Sequence, residues 1–128
     1  MTPGILSAGI DNTHTLRYWE PEDPDVVSTF IFVDIGPRTR GKGARDQVKK
    51  SDTFTLQVVT PAGLGALMET QDSIHLFSRK LLVMRRYDSD ELWQWLERTV
   101  ASCEAPTWQE CVDKLRTHFH WEFEGMTR

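Results

Sequence analysis

At 128 residues, with 39% hydrophobic and 27% charged side chains, the chain has the composition of one globular domain, which argues against a disordered chain. Its net charge is −4, but residues 36–50 hold six basic side chains and one acidic, which leaves −9 on the remainder. Such an acidic body disfavours nucleic acid as a partner, because phosphate contacts need clustered Lys and Arg. No apolar run suits a membrane span or a signal peptide, so we predict a cytoplasmic protein without a membrane partner.

Segments rich in β-branched and aromatic residues predict the strands. A short apolar run at 4–10 predicts a first strand, and the segments 26–36, 53–59 and 79–87 predict three core strands. In the second of these core strands, apolar and polar side chains alternate, which indicates one buried face and one wetter face. The basic, Gly-containing residues 36–50 predict a long, mobile hairpin loop between the first two core strands.

The helices are predicted mainly late in the chain. A short helix is expected directly after the second core strand, and the capping patterns Asp88-x-x-Glu91 and Thr107-x-x-Glu110 each begin a further helix. Strands come first and most of the helical sequence follows. The order therefore predicts an α+β fold, a mainly antiparallel sheet with C-terminal helices packed on one face, in a single domain over residues 1–128.

Motifs for catalysis and cofactor binding are weak. The sequence "GKGARD" at 41–46 begins like a dinucleotide-binding turn, but Asp46 stands where the third Gly belongs. No Gly-x-Ser-x-Gly motif occurs. Cys103 and Cys111 have neither disulfide-framework nor metal-type spacing and are predicted to be small buried side chains. We therefore predict no cofactor and no enzymatic activity.

The triplet His118-x-His120-x-Glu122 has two interpretations. Two imidazoles and a carboxylate on one side of a strand can bind zinc or iron, although no further ligand is identifiable. The residues between them are the aromatic side chains Phe119, Trp121 and Phe123. Burying each aromatic ring contributes roughly 2 kcal/mol, which by itself accounts for the alternation. The favoured interpretation is a strand with an aromatic buried face and no metal.

Several ordered segments carry a family resemblance. They are "YWEPEDPD" at 18–25, "DIGP" at 34–37, "SDTFTLQVVTP" at 51–61, "RKLLVMRRYDSDELWQWLE" at 79–97, "CEAPTWQE" at 103–110 and "WEFE" at 121–124. From about residue 16 to residue 124 the chain resembles the Imm8 family of bacterial immunity proteins, found in contact-dependent and polymorphic toxin systems. It departs from the pattern at Trp93 and in the longer, more basic residues 38–50.

The resemblance implies a stoichiometric inhibitor that is not an enzyme. It would act in the cytosol by binding the C-terminal domain of a cognate toxin. Such toxins are often nucleases. From the sequence itself we expect a monomer or weak dimer, because an exposed strand edge could pair with a second copy. Immunity proteins discriminate among toxins through variable surfaces, so the departures above bear on which partner is bound.

Candidate partner-binding residues are either acidic or tryptophan. They are Trp19, Glu20, Glu22, Asp23, Asp25, Trp93, Glu122 and Glu124. The first acidic cluster lies on a loop stiffened by two prolines, and its carboxylates can replace phosphates in a basic cleft. Tryptophan is favoured at interface hot spots. The alternatives are a solvated turn for the loop, an ordinary wet strand face for the last two glutamates, and a core-edge position for Trp93.

Two other functional classes stay open from the sequence. One is a small nucleic-acid-binding regulator that uses residues 38–50, whose binding would depend strongly on salt. The other is a metal-dependent enzyme centred on His118 and His120.

Overall fold

The computed structural model describes residues 1–10, 14–39, 47–48, 51–70 and 80–123. The elements in chain order are β1 (Thr2–Gly9), a 3₁₀ turn (Leu16–Tyr18), β2 (Ser28–Thr39), β3 (Gln47–Val48), β4 (Asp52–Val59), α1 (Pro61–Thr70), β5 (Leu81–Val83), α2 (Ser89–Ala101), α3 (Trp108–Leu115) and β6 (His120–Trp121). Most strands precede the helices, and the predicted α+β class is confirmed.

The strands form one sheet in the order β1-β2-β4-β5, with β3 paired to β2 and β6 paired to β4. Every pairing is antiparallel except that of β4 with β5, which is parallel. A parallel pair needs a crossover connection, and α1 lies in it. The predicted, mainly antiparallel sheet is therefore confirmed. The core strand predicted at 79–87 is shorter, and in the sheet formed by the described residues it lies at the edge, beside β4, and not at the centre.

The register of β2 against β4 puts the core side chains on one face of the sheet. Ile31 lies opposite Leu56 in this ladder. Two residues further along, Val33 lies opposite Phe54, and all four side chains are buried. The alternate residue Phe32 points to the other face and is exposed. Because side chains alternate along a strand, a slip by one residue would exchange the two faces.

Both late helices begin at the predicted capping residues. The Asp88 carboxylate accepts hydrogen bonds from the backbone N–H groups of Asp90 and Glu91. At α3 the capping box is complete, with Thr107 accepting from the N–H of Glu110 and the Glu110 carboxylate accepting from the N–H of Thr107. Each cap satisfies donors that the first turn would otherwise leave unbonded, which is typically worth about 1 kcal/mol.

The two helices cover the core face of the sheet with a buried stripe each. The buried side chains are Leu92, Leu96 and Val100 on α2 and Cys111, Val112 and Leu115 on α3. Both helices contact β1. Cys103 and Cys111 are buried free thiols, as predicted. Burial raises the pKa of the Cys103 thiol, which keeps it neutral.

The C-terminal aromatic residues pack as the alternation predicted, but on a shorter strand. Phe119 and Trp121 are buried and Phe123 is half-buried. Only His120–Trp121 pair with β4 as β6. The strand begins late because the chain is still turning at His118, whose N–H donates to the carbonyl of Leu115 at 3.0 Å.

The predicted loop at 36–50 begins too early. Strand β2 continues through Thr39, because β1 pairs with it from Gly4 opposite Gly36 to Thr2 opposite Arg38. Gln47–Val48 pair with the end of β2 as β3. Pro37 is tolerated there because β4, on the other side of β2, begins only at Asp52. Residues 40–46 and 49–50 lie outside the described residues.

A glycine sets how closely α1 approaches the sheet. Gly63 is buried on α1, where a Cβ atom would overlap the backbone carbonyl of Val27. Gly65, two residues further along the same helix, has open space around the position of its Cβ. The first glycine is therefore required by packing, whereas the second is not.

We expect Gly63→Ala and Gly65→Ala to change stability in opposite directions. The first must push α1 away from Val27, which lowers the free energy of unfolding by about 2 kcal/mol. The second keeps the helix in place and raises the free energy of unfolding by about 0.5–1 kcal/mol, because alanine favours the helix. Urea denaturation of both variants measures the difference. An unchanged midpoint for Gly63→Ala would contradict this packing of α1.

Candidate functional site

The acidic loop Glu20–Asp25 is fixed to the end of β4 through a buried threonine. The Thr60 hydroxyl donates to the carbonyl of Asp25 at 2.7 Å and accepts from the N–H of Val27 at 2.9 Å. The backbone N–H of Thr60 donates to the carbonyl of Val27, also at 2.9 Å. The chain leaving the loop therefore has a defined position before β2 begins.

A second contact joins the loop to the start of α2. The N–H of Tyr87 donates to the carbonyl of Pro24 at 2.8 Å. The Tyr87 ring is buried and lies edge-on to the ring of Trp19, with 5.0 Å between the ring centroids. Edge-to-face pairs of this kind contribute about 0.5–1.5 kcal/mol beyond the area they bury. Trp19 thus supports the base of the acidic loop.

These contacts bring two sets of carboxylates to one end of the molecule. The exposed members are Glu20, Glu22, Asp23 and Asp25 on the loop and Asp88, Asp90 and Glu91 at the start of α2. We call these seven residues the acidic surface. The sequence predicted its loop half, whereas the helical half was interpreted only as a cap, because the two segments are far apart in the chain.

The acidic surface is only partly neutralised. Arg86 pairs with Asp25 at 3.3 Å, but both side chains are largely exposed, so the pair contributes little to stability. Asp90 and Glu91 lie in the first turn of α2, where the helix dipole favours negative charge. The dipole therefore offsets part of the repulsion that seven neighbouring carboxylates would otherwise create.

The two predicted tryptophan anchors are half-buried, and a more exposed aromatic residue lies beside one of them. Trp19 and Trp93 both pack against the core, and the guanidinium of Arg17 lies 5.6 Å from the centre of the Trp93 ring. Tyr18 is 81% exposed, next to the acidic loop. The sequence analysis did not single out Tyr18, because its exposure depends on how the 3₁₀ turn packs against the core.

Glu122 lies at the other end of the sheet. Its carboxylate accepts from the N–H of Thr53 at 2.9 Å, and its own N–H donates to the carbonyl of Thr53. Thr53 and Thr60 are separated by seven residues of extended chain, or ~23 Å. Glu122 therefore closes the β4–β6 pairing and does not extend the acidic surface. Glu124 lies outside the described residues.

The histidine triplet does not form a cluster of ligands on one strand. His118 belongs to the turn after α3, whereas His120 belongs to β6. Within the described part of the chain, no group of three or more His, Cys, Asp or Glu side chains is arranged to hold a metal ion.

The comparison with protein families defines the class of this protein. The family model of immunity protein 8 matches residues 5–126, which is most of the chain. The chain therefore belongs to the Imm8 family, and it is an immunity protein directed against a toxin. No curated protein and no solved structure gives a significant match. Across the described residues, no helix combines the length and apolar character that crossing a bilayer requires.

The hydroxyl of Tyr87 allows a test of the packing at the base of the acidic loop. It is buried without a hydrogen-bond partner among the described residues, and burial, with a smaller effect of Asp88, raises the pKa of Tyr87 to about 12. The folded state thus favours the neutral phenol. The stability that this preference for the neutral phenol contributes is fully present below pH 10, and it is lost as the pH rises from about 10 to about 12.

We expect Tyr87→Phe to raise the free energy of unfolding at pH 7 by about 1 kcal/mol, because it removes a buried, unsatisfied hydroxyl. The gain over the unchanged protein should grow between pH 10 and pH 12. Urea denaturation across this range measures it. Tyr18→Phe is the matched control, since it removes the same hydroxyl from an exposed ring. Equal curves for the two variants would contradict burial of the Tyr87 hydroxyl.

Proposed function

We propose that this immunity protein neutralises a nuclease toxin in the cytosol by forming a stoichiometric complex in which the acidic surface occupies the toxin's basic cleft. The observation that carries the proposal is the main-chain anchoring of the loop beside the α2 N-terminus, which collects seven exposed carboxylates. Proteins that cut nucleic acid bind phosphates with clustered Lys and Arg. Carboxylates at similar spacing compete for the same groups.

Charge favours fast capture of such a toxin. Outside residues 36–50 the chain carries −9, and seven of the eighteen carboxylates in that part lie together in the acidic surface at one end of the molecule. Opposite charges steer two proteins together and raise the association rate by orders of magnitude at low salt. A toxin made inside or delivered into the cell would be bound before it meets many nucleic-acid targets.

Rigidity favours a long-lived complex. Pro21 and Pro24 restrict the loop, and the bonds from Thr60 and Tyr87 fix its C-terminal half. A loop that is already ordered loses less conformational entropy on binding. Tyr18, exposed beside this loop, is the aromatic side chain best placed to act as an anchor at the rim. Inhibition of this kind requires no bond to be made or broken by the inhibitor.

The decisive experiment is co-purification with the toxin domain encoded immediately upstream, followed by titration calorimetry with an inactivated form of that domain. We expect a one-to-one complex. Consumption of a substrate by the pure immunity protein, or failure to bind the upstream toxin domain, would contradict the proposal.

We expect the double charge reversal Glu22→Lys/Asp23→Lys to lower affinity roughly tenfold or more, because it places positive charge against the basic cleft. Neutralising the basic residues at 38–50 should have a smaller effect. The loss should shrink as ionic strength rises, because salt screens exposed charges.

The matched control is Glu97→Lys/Asp113→Lys, which changes the net charge equally at exposed positions outside the acidic surface. If the control weakens the complex as much, net charge and not the acidic surface determines binding. If neutralising residues 38–50 has the larger effect, the interface lies on the basic side of the molecule.

A further inference from the structure

The outer edge of β5 offers main-chain groups for another strand. The carbonyl of Lys80 accepts from the N–H of Gln57, and the N–H of Met84 donates to the carbonyl of Val59. In a parallel ladder, alternate residues bond to the neighbouring strand, and those between them face away. Leu81 and Val83 therefore direct their N–H and C=O groups outward. Neither residue has a hydrogen-bond partner on that side among the described residues.

A groove runs beside this edge. Its cavity, of about 430 Å³, lies between β5 and α2, with Leu82 and Met84 on one wall and Leu92 and Trp95 on the other. The side chain of Val83, on the opposite face of the strand, is 55% exposed. A strand edge flanked by a groove with both apolar and charged side chains is an arrangement in which an extended peptide adds main-chain bonds and places alternate side chains in the groove.

The charge around the groove differs from that of the molecule as a whole. Arg85, at the end of β5, and Arg98, on α2, both line it and both are exposed. Within the described residues neither guanidinium has an ion-pair partner. Glu91 is the acidic side chain among the lining residues. The groove thus presents two cations that have no ion-pair partner in the described part of the chain, and they complement Asp or Glu side chains on an incoming strand.

The groove also adjoins the acidic surface. Arg85 and Glu91 line it and also line the neighbouring pocket that contains Pro24 and Tyr87, at the base of the acidic loop. A partner that covers the acidic surface is therefore close enough to contact the β5 edge as well. The acidic surface can contact basic side chains of a partner, and the groove can contact acidic side chains of the same partner.

We infer that β5 and the α2 groove bind an extended, acidic segment of the toxin, which adds to the sheet as a strand beside β5. An apolar side chain of that segment lies against Leu82 and Trp95, and flanking carboxylates pair with Arg85 and Arg98. This inference rests on the proposed function, because it takes the toxin as the partner. It adds an interaction mode that the acidic surface alone does not require.

Amide hydrogen exchange of the immunity protein, free and with the inactivated upstream toxin domain, tests the inference directly. We expect the outward amides of Leu81 and Val83 to exchange at least about tenfold more slowly in the complex, because they become hydrogen-bonded. The inward amides of Leu82 and Met84 already bond to β4, so they report any general stabilisation.

A matched pair of variants separates the main chain from the side chain. Val83→Pro removes an outward N–H without breaking a bond to β4, and Val83→Ala shortens the same side chain and keeps the N–H. We expect the proline variant to bind the toxin domain about tenfold more weakly than the alanine variant. Arg85→Glu/Arg98→Glu should weaken binding by a similar factor. Circular dichroism of each variant checks that it folds.

The outcomes are distinct. A complex that forms without protection of Leu81 and Val83 overturns the added strand and leaves the proposed function intact. Protection that grows with the concentration of the free protein assigns the edge to a second copy of this chain and also overturns the inference. Absence of any complex with the toxin domain removes both the proposed function and the inference.

Discussion

A single buried hydroxyl joins the segments that position the acidic surface. Thr60 donates to the carbonyl of Asp25 and accepts from the N–H groups of Val27 and Gly63, so its one donor and two acceptor positions are all used. The end of β4, the first turn of α1 and the chain entering β2 are thereby tied together. The acidic loop ends and the parallel crossover starts at this point. A buried group that is fully satisfied in this way has no low-cost substitute.

Helix α2 then divides the end of the molecule that carries the acidic surface into regions of different character. Its first turn carries carboxylates, one flank faces β5 across a groove with two arginines, and the other flank packs toward β1 near Trp93. Regions of opposite charge side by side fix the orientation of a partner as well as attract it, since a rotated partner would meet like charge. In the proposed complex, affinity and selectivity would come from the arrangement of charge around one helix, more than from the net charge of the chain.

Sequence predicted what is decided locally. The caps at Asp88 and Thr107 depend on neighbours a few residues away, and both are found. The alternation predicted along β4 is wrong beyond Leu56, because Gln57 and Val59 are buried as well as Val58. Sequence did not predict what depends on distant pairing. Strand β2 continues through Pro37 because β1 lies beside it, and a threonine next to a proline gives no sign of three tertiary bonds. The binding role of the acidic residues stays a prediction.

The acidic loop is held through its backbone, which has a consequence for how such proteins diversify. The carbonyls of Pro24 and Asp25 and both main-chain groups of Val27 make the anchoring bonds, while the side chains of Glu20 and Glu22 make none of them. Those two positions can therefore change identity with little effect on folding. Point substitutions at these positions could change which toxin variant is bound, while the fold stays the same.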